Sequence, residues 1–154
     1  MVRRAKIKDV PQMVRMVNQY AAKGEMLSRS LSQVYNSIRD YVVIEENDQV
    51  IACGALHVVW DNIGELRTVA VAPERIGQGL GRQIVEYLIQ DAYELALPKV
   101  FTLTYKPAFF EKFGFTQVDK KELPHKAWQD CLNCPKFPEC DEIALTRPIF
   151  ESVQ

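Results

Sequence analysis

Residues 71–81 run Val71-Ala72-Pro73-Glu74-Arg75-Ile76-Gly77-Gln78-Gly79-Leu80-Gly81, closing an apolar stretch and opening an amphipathic one. Glycines at 77, 79 and 81 remove the Cβ atoms that would keep a phosphate off the main chain, and the N–H groups of a helix start favour anions. The chemistry on offer is a pyrophosphate held on backbone amides, each charge-assisted contact contributing about 1.5–3 kcal/mol. A flexible turn before a helix has the same glycine pattern, so the flanking elements must decide. Six residues before Val71 stands Glu65, and Arg67 shares its strand parity, which sends both side chains to one face. A guanidinium there binds a carboxylate bidentately or pairs with Glu65 itself. Further on, Cys131-x2-Cys134-x5-Cys140, with His125 six residues upstream, has the donor set for one tetrahedral zinc. A disulfide or reduced structural thiols are the alternatives for that cluster. Cys53 falls inside an apolar strand pattern and reads as core, and His57 reads as an ordinary strand residue.

The elements around the glycines favour the phosphate reading. Residues 65–71 read as a strand, and residues 83–90 read as an amphipathic helix with Ile84, Val85, Leu88 and Ile89 on one face. A dinucleotide-binding fold would place its glycine turn after a first strand near the N-terminus, with an acidic residue about twenty positions on. A P-loop would follow its glycines with Lys-Ser or Lys-Thr. Neither pattern fits this mid-chain turn. Elsewhere, residues 2–8 read as a first strand, and Asp9 is placed to cap a helix carrying Val10, Met13, Val14 and Val17, with Gly24 ending it. Ser30 is placed to cap a second helix with Leu31, Val34, Tyr35 and Ile38 at helical spacing. Residues 41–46 and 49–59 read as strands around an Asn47-Asp48 turn. A strand over 100–104, a short helix over 107–113 stopped by Gly114, and a strand from Phe115 follow. Residues 119–141 form a Pro- and Cys-rich insertion before a last strand over 142–147.

The chain has 154 residues, 47% hydrophobic and 25% charged, which suits a single domain spanning 1–154 with a real core. A formal charge of -1 gives no electrostatic footprint for nucleic acid or an acidic membrane surface. The basic residues Arg3, Arg4, Lys6 and Lys8 precede no apolar signal region, and no stretch approaches the roughly 18 apolar residues of a membrane span, so cytoplasmic residence is the expectation.

The strand, Pro-containing turn, Gly-rich loop and helix over residues 65–90 resemble the central motif of the GNAT superfamily of acetyl-CoA-dependent N-acetyltransferases. That resemblance implies an α/β (α+β) fold, with a mixed, mostly antiparallel sheet of about six to seven strands flanked by about four helices. It implies acetyl-CoA as cosubstrate, with Val69, Ala70 and Val71 along the pantetheine arm and Ile76, Gly77, Gln78, Gly79, Leu80, Gly81 and Arg82 around the pyrophosphate. The family usually starts this loop with Arg or Gln at the position of Ile76, whereas here the arginine sits one place earlier, at Arg75. In several of its enzymes a glutamate at the place of Glu65 is the general base, directly or through water, a role that typically contributes about 10²–10⁴ in rate. An exposed strand-end carboxylate, or one that attracts a substrate amine electrostatically, is the competing reading of Glu65. The family's usual acid is a tyrosine in a Phe-Tyr-Glu run; this chain reads Phe109-Phe110-Glu111, so Phe110 cannot donate a proton. Tyr105 is the substitute if the backbone turns it inward, though a thiolate leaves readily without help. Phe109, Phe110, Phe113 and Phe115 read as core.

Beyond the loop, Met26-Leu27-Ser28-Arg29-Ser30-Leu31, Ile38-Arg39-Asp40-Tyr41, Gly64-Glu65-Leu66-Arg67, Leu103-Thr104-Tyr105 and Leu123-Pro124-His125-Lys126-Ala127-Trp128 are similar to the short single-domain N-acetylglutamate synthases. The implied reaction converts acetyl-CoA and L-glutamate to N-acetyl-L-glutamate and CoA, a step towards arginine. A dicarboxylic amino acid gives a use to Arg29, Arg67 and Lys106 as carboxylate ligands, each of which is by itself unremarkable surface. Two alternatives stay open: a GNAT acetyltransferase for another small amine or a protein amine, and a non-catalytic acyl-CoA-binding module, which the missing tyrosine favours slightly. Exposed sheet edges make a homodimer plausible without defining its interface.

Overall fold

The computed structural model describes residues 1–123 and 142–150. Seven strands, β1 (Val2–Arg4), β2 (Tyr41–Glu46), β3 (Gln49–Trp60), β4 (Ile63–Val71), β5 (Lys99–Thr104), β6 (Thr116–Val118) and β7 (Ile143–Pro148), form one sheet in the order β1-β2-β3-β4-β5-β7-β6. Among the described residues four α-helices, α1 (Val10–Ala22), α2 (Leu31–Asn36), α3 (Leu80–Glu94) and α4 (Pro107–Glu111), cover its two faces. Every pairing is antiparallel except β4 with β5. The mixed, mostly antiparallel α/β sheet is therefore as expected from the sequence.

Strand alternation divides the core. On β2, Val42 and Ile44 join the cluster under α3, whereas Tyr41 and Val43 join the cluster under α1 and α2. Residues on both faces of β2 are therefore apolar, as a sheet covered on both sides requires. Gly54 of β3 marks the closest approach of α3, since a Cβ there would lie 2.5 Å from Ile84 Cγ2. Asn47 and Asp48 both take left-handed backbone, with φ of 54° and 62°, which matches a two-residue turn to the twist of the β2–β3 hairpin. No helix among the described residues is long and apolar enough to cross a membrane.

Several boundaries differ from the sequence reading. The first strand stops at Arg4, because Ile7–Asp9 winds into a 3₁₀ turn ahead of α1. Asp9 does not cap α1 with its side chain; its carboxylate instead accepts from the Lys6 N–H at 2.7 Å and from both terminal nitrogens of Arg3 at 2.8 and 3.0 Å. Ser30 does cap α2, in a reciprocal box with Gln33, but that helix ends at Asn36 and Ile38 lies in a following 3₁₀ turn. The helix after the glycines is longer than its apolar face suggested, starting at Leu80 and running to Glu94. Within the expected insertion, Asp119 caps a 3₁₀ turn over Lys120–Glu122. His125, Cys131, Cys134 and Cys140, the zinc donors considered above, lie outside the described residues.

Candidate active site

β4 carries an irregularity on which the site depends. Its register against β3 pairs Ala55 with Arg67 but Cys53 with Ala70, so Thr68 and Val69 together oppose Gly54. Such a bulge shifts side-chain parity by one. Before it, Arg67 faces the α1–α2 side with Ala55 and Leu66 faces α3 with Leu56; after it, Val69 faces α3 and Ala70 turns to α1. Thr68 takes φ of 61°, a left-handed conformation uncommon in a β-branched residue. Its surroundings hold it there: the Tyr41 phenol is hydrogen-bonded to its side chain, and the Cys53 thiol donates to its carbonyl at 3.5 Å. Burial raises the Tyr41 phenol pKa, although that hydrogen bond and the charges of Arg29 and Arg67 pull it down. Both guanidiniums thus act on the same point of the α1–α2 face. Burial also pushes the Cys53 thiol up to about 12, which leaves it an inert packing group.

β4 and β5 separate immediately beside the bulge. They pair at Gly64 with Val100 and at Glu65 with Phe101, after which β5 continues along β7 alone. Thr102 Oγ1 donates to the Leu66 carbonyl at 2.8 Å in the crotch of the fork. The gap that opens is a cleft of about 470 Å³. Val69, Ala70 and Val71 form one wall, and Thr104, Tyr105, Lys106, Phe109 and Phe110 form the other. The rim is the glycine loop, from Arg75 and Ile76 through Gly77 and Gly79 to Leu80, Gly81 and Arg82.

The glycines have different reasons to be glycine. Gly77 and Gly79 have φ of 89° and 79°, and a Cβ on either would meet open space, so backbone conformation rather than crowding selects them. Gly81 is instead a contact residue, where a Cβ would stand 3.2 Å from the Phe109 ring. Gly79 is the N-cap of α3 without a side-chain cap, and no acidic residue occupies the first turn. A fifteen-residue helix therefore presents uncapped N–H groups and its positive dipole end to the rim. That arrangement fits the pyrophosphate of CoA, and the fork fits an extended arm leading inward. Arg75 bends back to Gln78 Oε1 at 2.8 Å and to Glu46 at 3.1 Å, bracing the loop, while Arg82 pairs with Glu86 at 2.6 Å. Gln78 is not among the residues lining the cleft.

A second, smaller cavity of about 110 Å³ opens on the α1–α2 side of the fork. Arg29, Glu65, Arg67, Thr68, Thr102 and Glu142 contribute polar groups to it. Glu65 and Arg67 are both largely buried, with Arg67 Nη1 3.7 Å from Glu65 Oε1. Glu25, Met26, Val69, Thr104 and Phe110 line both cavities, so the two meet there. Of the candidates from the sequence, Arg29, Glu65 and Arg67 come together in the smaller cavity. Lys106, expected beside them, lines the larger cleft instead, as does Tyr105 at the bend after β5. Phe110 packs edge-on against Phe109 and Phe115 and is also the wall between the cavities.

Tyr20, Glu25, Thr102 and Glu142 were not singled out in the sequence. Tyr20 lines the larger cleft, and its hydroxyl donates to the Val71 carbonyl at 2.6 Å. Burial raises its pKa, as do the charges of Glu25 and Glu74. Nothing local marks these residues, because α1, the segment after it, β5 and the residue ahead of β7 come together at the fork only through the tertiary fold.

Known proteins resemble this chain in sequence and in fold. The "Amino-acid acetyltransferase" of Mycobacterium tuberculosis is 43% identical over 121 residues, covering 77% of this chain and 69% of that protein. A crystal structure from the same organism, solved with CoA, superposes with a TM-score of 0.84 at 31% identity, covering 97% of this chain and 99% of that one. The fold is also that of the N-acetylglutamate synthase from Neisseria gonorrhoeae complexed with coenzyme A and N-acetyl-glutamate, at a TM-score of 0.88 and 22% identity over 98% of this chain and 35% of that protein. Residues 37–117, from the 3₁₀ turn before β2 to the middle of β6, match the model for the Acetyltransferase (GNAT) domain. That match takes in the bulged strand, the glycine loop and the fork, and covers more than half of the molecule, so the chain belongs to the GNAT acetyltransferase family.

Proposed function

We propose that this protein transfers the acetyl group of acetyl-CoA to the α-amine of L-glutamate. The observation that carries the reading is the meeting of the two cavities at Val69, Thr104 and Phe110, one rimmed by the glycine loop and the uncapped start of α3, the other lined by Arg29, Arg67 and the buried Glu65. The amino-acid acetyltransferase name of the mycobacterial relative and the N-acetyl-glutamate bound by the Neisseria synthase support it. Acetyl-CoA supplies a thioester that an uncharged amine attacks, with CoA leaving as the thiolate.

In this reading Gly77, Gly79, Leu80, Gly81 and Arg82 hold the pyrophosphate, and the β4 backbone at Val69, Ala70 and Val71 lies along the pantetheine arm. Lys106, at the cleft, belongs to the cosubstrate side. Arg29 and Arg67 bind the two carboxylates of the acceptor. Glu65 takes the proton that the ammonium must lose before its nitrogen lone pair can attack, directly or through one water. One proton leaves nitrogen for a carboxylate oxygen before attack; as the C–N bond forms and the C–S bond breaks, the second proton on nitrogen passes by way of Tyr105 to the departing sulfur. Tyr105, which lines the cleft, is assigned the relay of that proton, as a group that gives one proton to sulfur while taking one from nitrogen.

The test is CoA release, monitored as free thiol with protein-thiol blanks, for L-glutamate, L-glutamine, L-aspartate and spermidine, with Glu65→Gln alongside. Glutamate-dependent release supports the reading. Release with another amine transfers the assignment to that amine, and tight CoA binding without release under any condition sinks the enzymatic reading of this pocket.

A further inference from the structure

The smaller cavity takes its guanidiniums from two kinds of backbone. Arg67 stands on β4, fixed by pairing with Ala55 of β3. Arg29 belongs to residues 23–30, which join α1 to α2 without a helix or strand of their own. A side chain on such a connection reaches a defined place only if something outside the connection holds its backbone.

Asn18 on α1 does so. Its Nδ2 donates to the Arg29 carbonyl at 3.0 Å, and its Oδ1 accepts from the Arg29 N–H, also at 3.0 Å. One carboxamide thus binds both polar groups of one residue, as a neighbouring strand would, across eleven positions of sequence. The clamp sits at the end of the connection, because the next residue, Ser30, already belongs to the capping box of α2. Asn18 itself lines neither cavity.

We propose that Asn18 is a positioning residue for acceptor recognition: by clamping the backbone of Arg29 it sets where that guanidinium meets the acceptor's carboxylate. The proposal rests on the glutamate reading above. Asn18→Asp keeps the oxygen that accepts from Arg29 and replaces the donor by a second oxygen aimed at a carbonyl, with almost no change of shape. Asn18→Ala removes both bonds.

Steady-state kinetics on the full chain, with L-glutamate and L-glutamine as acceptors, separate this role from general support of the fold. Asn18→Asp should raise the KM for glutamate about tenfold, the loss expected from one hydrogen bond turned repulsive, with the KM for acetyl-CoA unchanged and kcat close to wild type. The glutamate-to-glutamine ratio of kcat/KM should fall towards that of Arg29→Gln. In the double variant the Asn18 change should add little to Arg29→Gln, because the clamp then holds nothing of use. Thermal unfolding and CoA titration of each variant report folding independently. Losses that add in the double variant, or a KM for acetyl-CoA that rises in step with that for glutamate, overturn the proposal. A wild-type protein that binds CoA but is silent towards glutamate overturns the glutamate reading and this proposal together, whereas an unchanged glutamate KM in active Asn18 variants overturns this proposal alone.

Discussion

Gly54→Ala adds one methyl group at the point where α3 lies closest to the sheet. The new Cβ would sit 2.5 Å from Ile84 Cγ2, about 1 Å inside the 3.5–4.0 Å of an ordinary carbon contact. Leu88 Cδ1 at 3.2 Å and Val69 Cγ2 at 3.4 Å close the remaining directions, and Ile84 and Leu88 are fully buried. The methyl therefore has nowhere to go unless Ile84 leaves its rotamer or α3 lifts, and overpacking of this kind costs about 1–3 kcal/mol. For a chain of this size that is a fall in Tm of roughly 2–12 °C. Lifting α3 also carries the glycine loop away from β4, so CoA binding should weaken and kcat/KM for acetyl-CoA should fall, by up to about 10²-fold for an ångström of displacement. The control is Ile84→Ala, which removes the clashing Cγ2 and alone costs about 2–5 kcal/mol. Urea unfolding of the two single variants and the double variant gives the coupling, and the double should cost less than the sum by at least about 0.5 kcal/mol. Additive losses, or a Gly54→Ala protein with wild-type Tm and CoA affinity, would refute the claim that this contact sets the height of α3 above the sheet.

Glu65→Gln should lower kcat for the acceptor about 10²–10⁴-fold while leaving the KM for acetyl-CoA alone, read by thiol release. Gly79→Ala asks an L-residue to hold φ of 79° and should cost about 1 kcal/mol and weaken CoA binding, with Gly79→Asn milder on both counts by calorimetry. The Asp9 carboxyl is raised by burial, but the hydrogen bonds from Arg3 and Lys6 and the nearby charges outweigh this and hold it below its ordinary value. Its contribution to stability is therefore complete above the unfolded carboxylate range, near pH 4, and is lost as pH falls through the folded value. Asp9→Asn should remove about 1.5–3 kcal/mol at pH 7 and flatten that part of the acid unfolding curve. Cys53, with its thiol pushed up to about 12, should stay unlabelled by maleimide at pH 8 in the native protein, as peptide mapping by mass spectrometry will read, and label only on unfolding.

What could be read in advance was what local chemistry dictates. Positive φ at Gly77 and Gly79 leaves few residue types available, so the loop announces itself by composition. The apolar spacing of Ile84, Val85, Leu88 and Ile89 likewise marks α3 without reference to anything distant. The bulge at Thr68 gave no such sign, because a β-branched residue is a poor choice for left-handed backbone and is held there by Tyr41 and Cys53 from two other strands. The same holds for Glu25 and Glu142, which reach the smaller cavity from opposite ends of the chain. Asp9 illustrates a competition that sequence does not decide: a good cap residue was claimed by Arg3, whose fork offers it two bonds at once.

The two-pair seam between β4 and β5 divides the sheet into a four-stranded and a three-stranded half. Ladder pairing between the halves is confined there to Gly64 with Val100 and Glu65 with Phe101, so the continuity of the sheet is weakest where the cleft begins. A molecule seated in the fork touches both halves at once, and its binding free energy acts as mortar between them. By linkage, cosubstrate at a hundred times its dissociation constant adds about 2.7 kcal/mol to the folded state. The protein's cohesion is thus tied to its metabolic supply: amide hydrogens of β5, β6 and β7 should exchange more slowly whenever the cleft is filled.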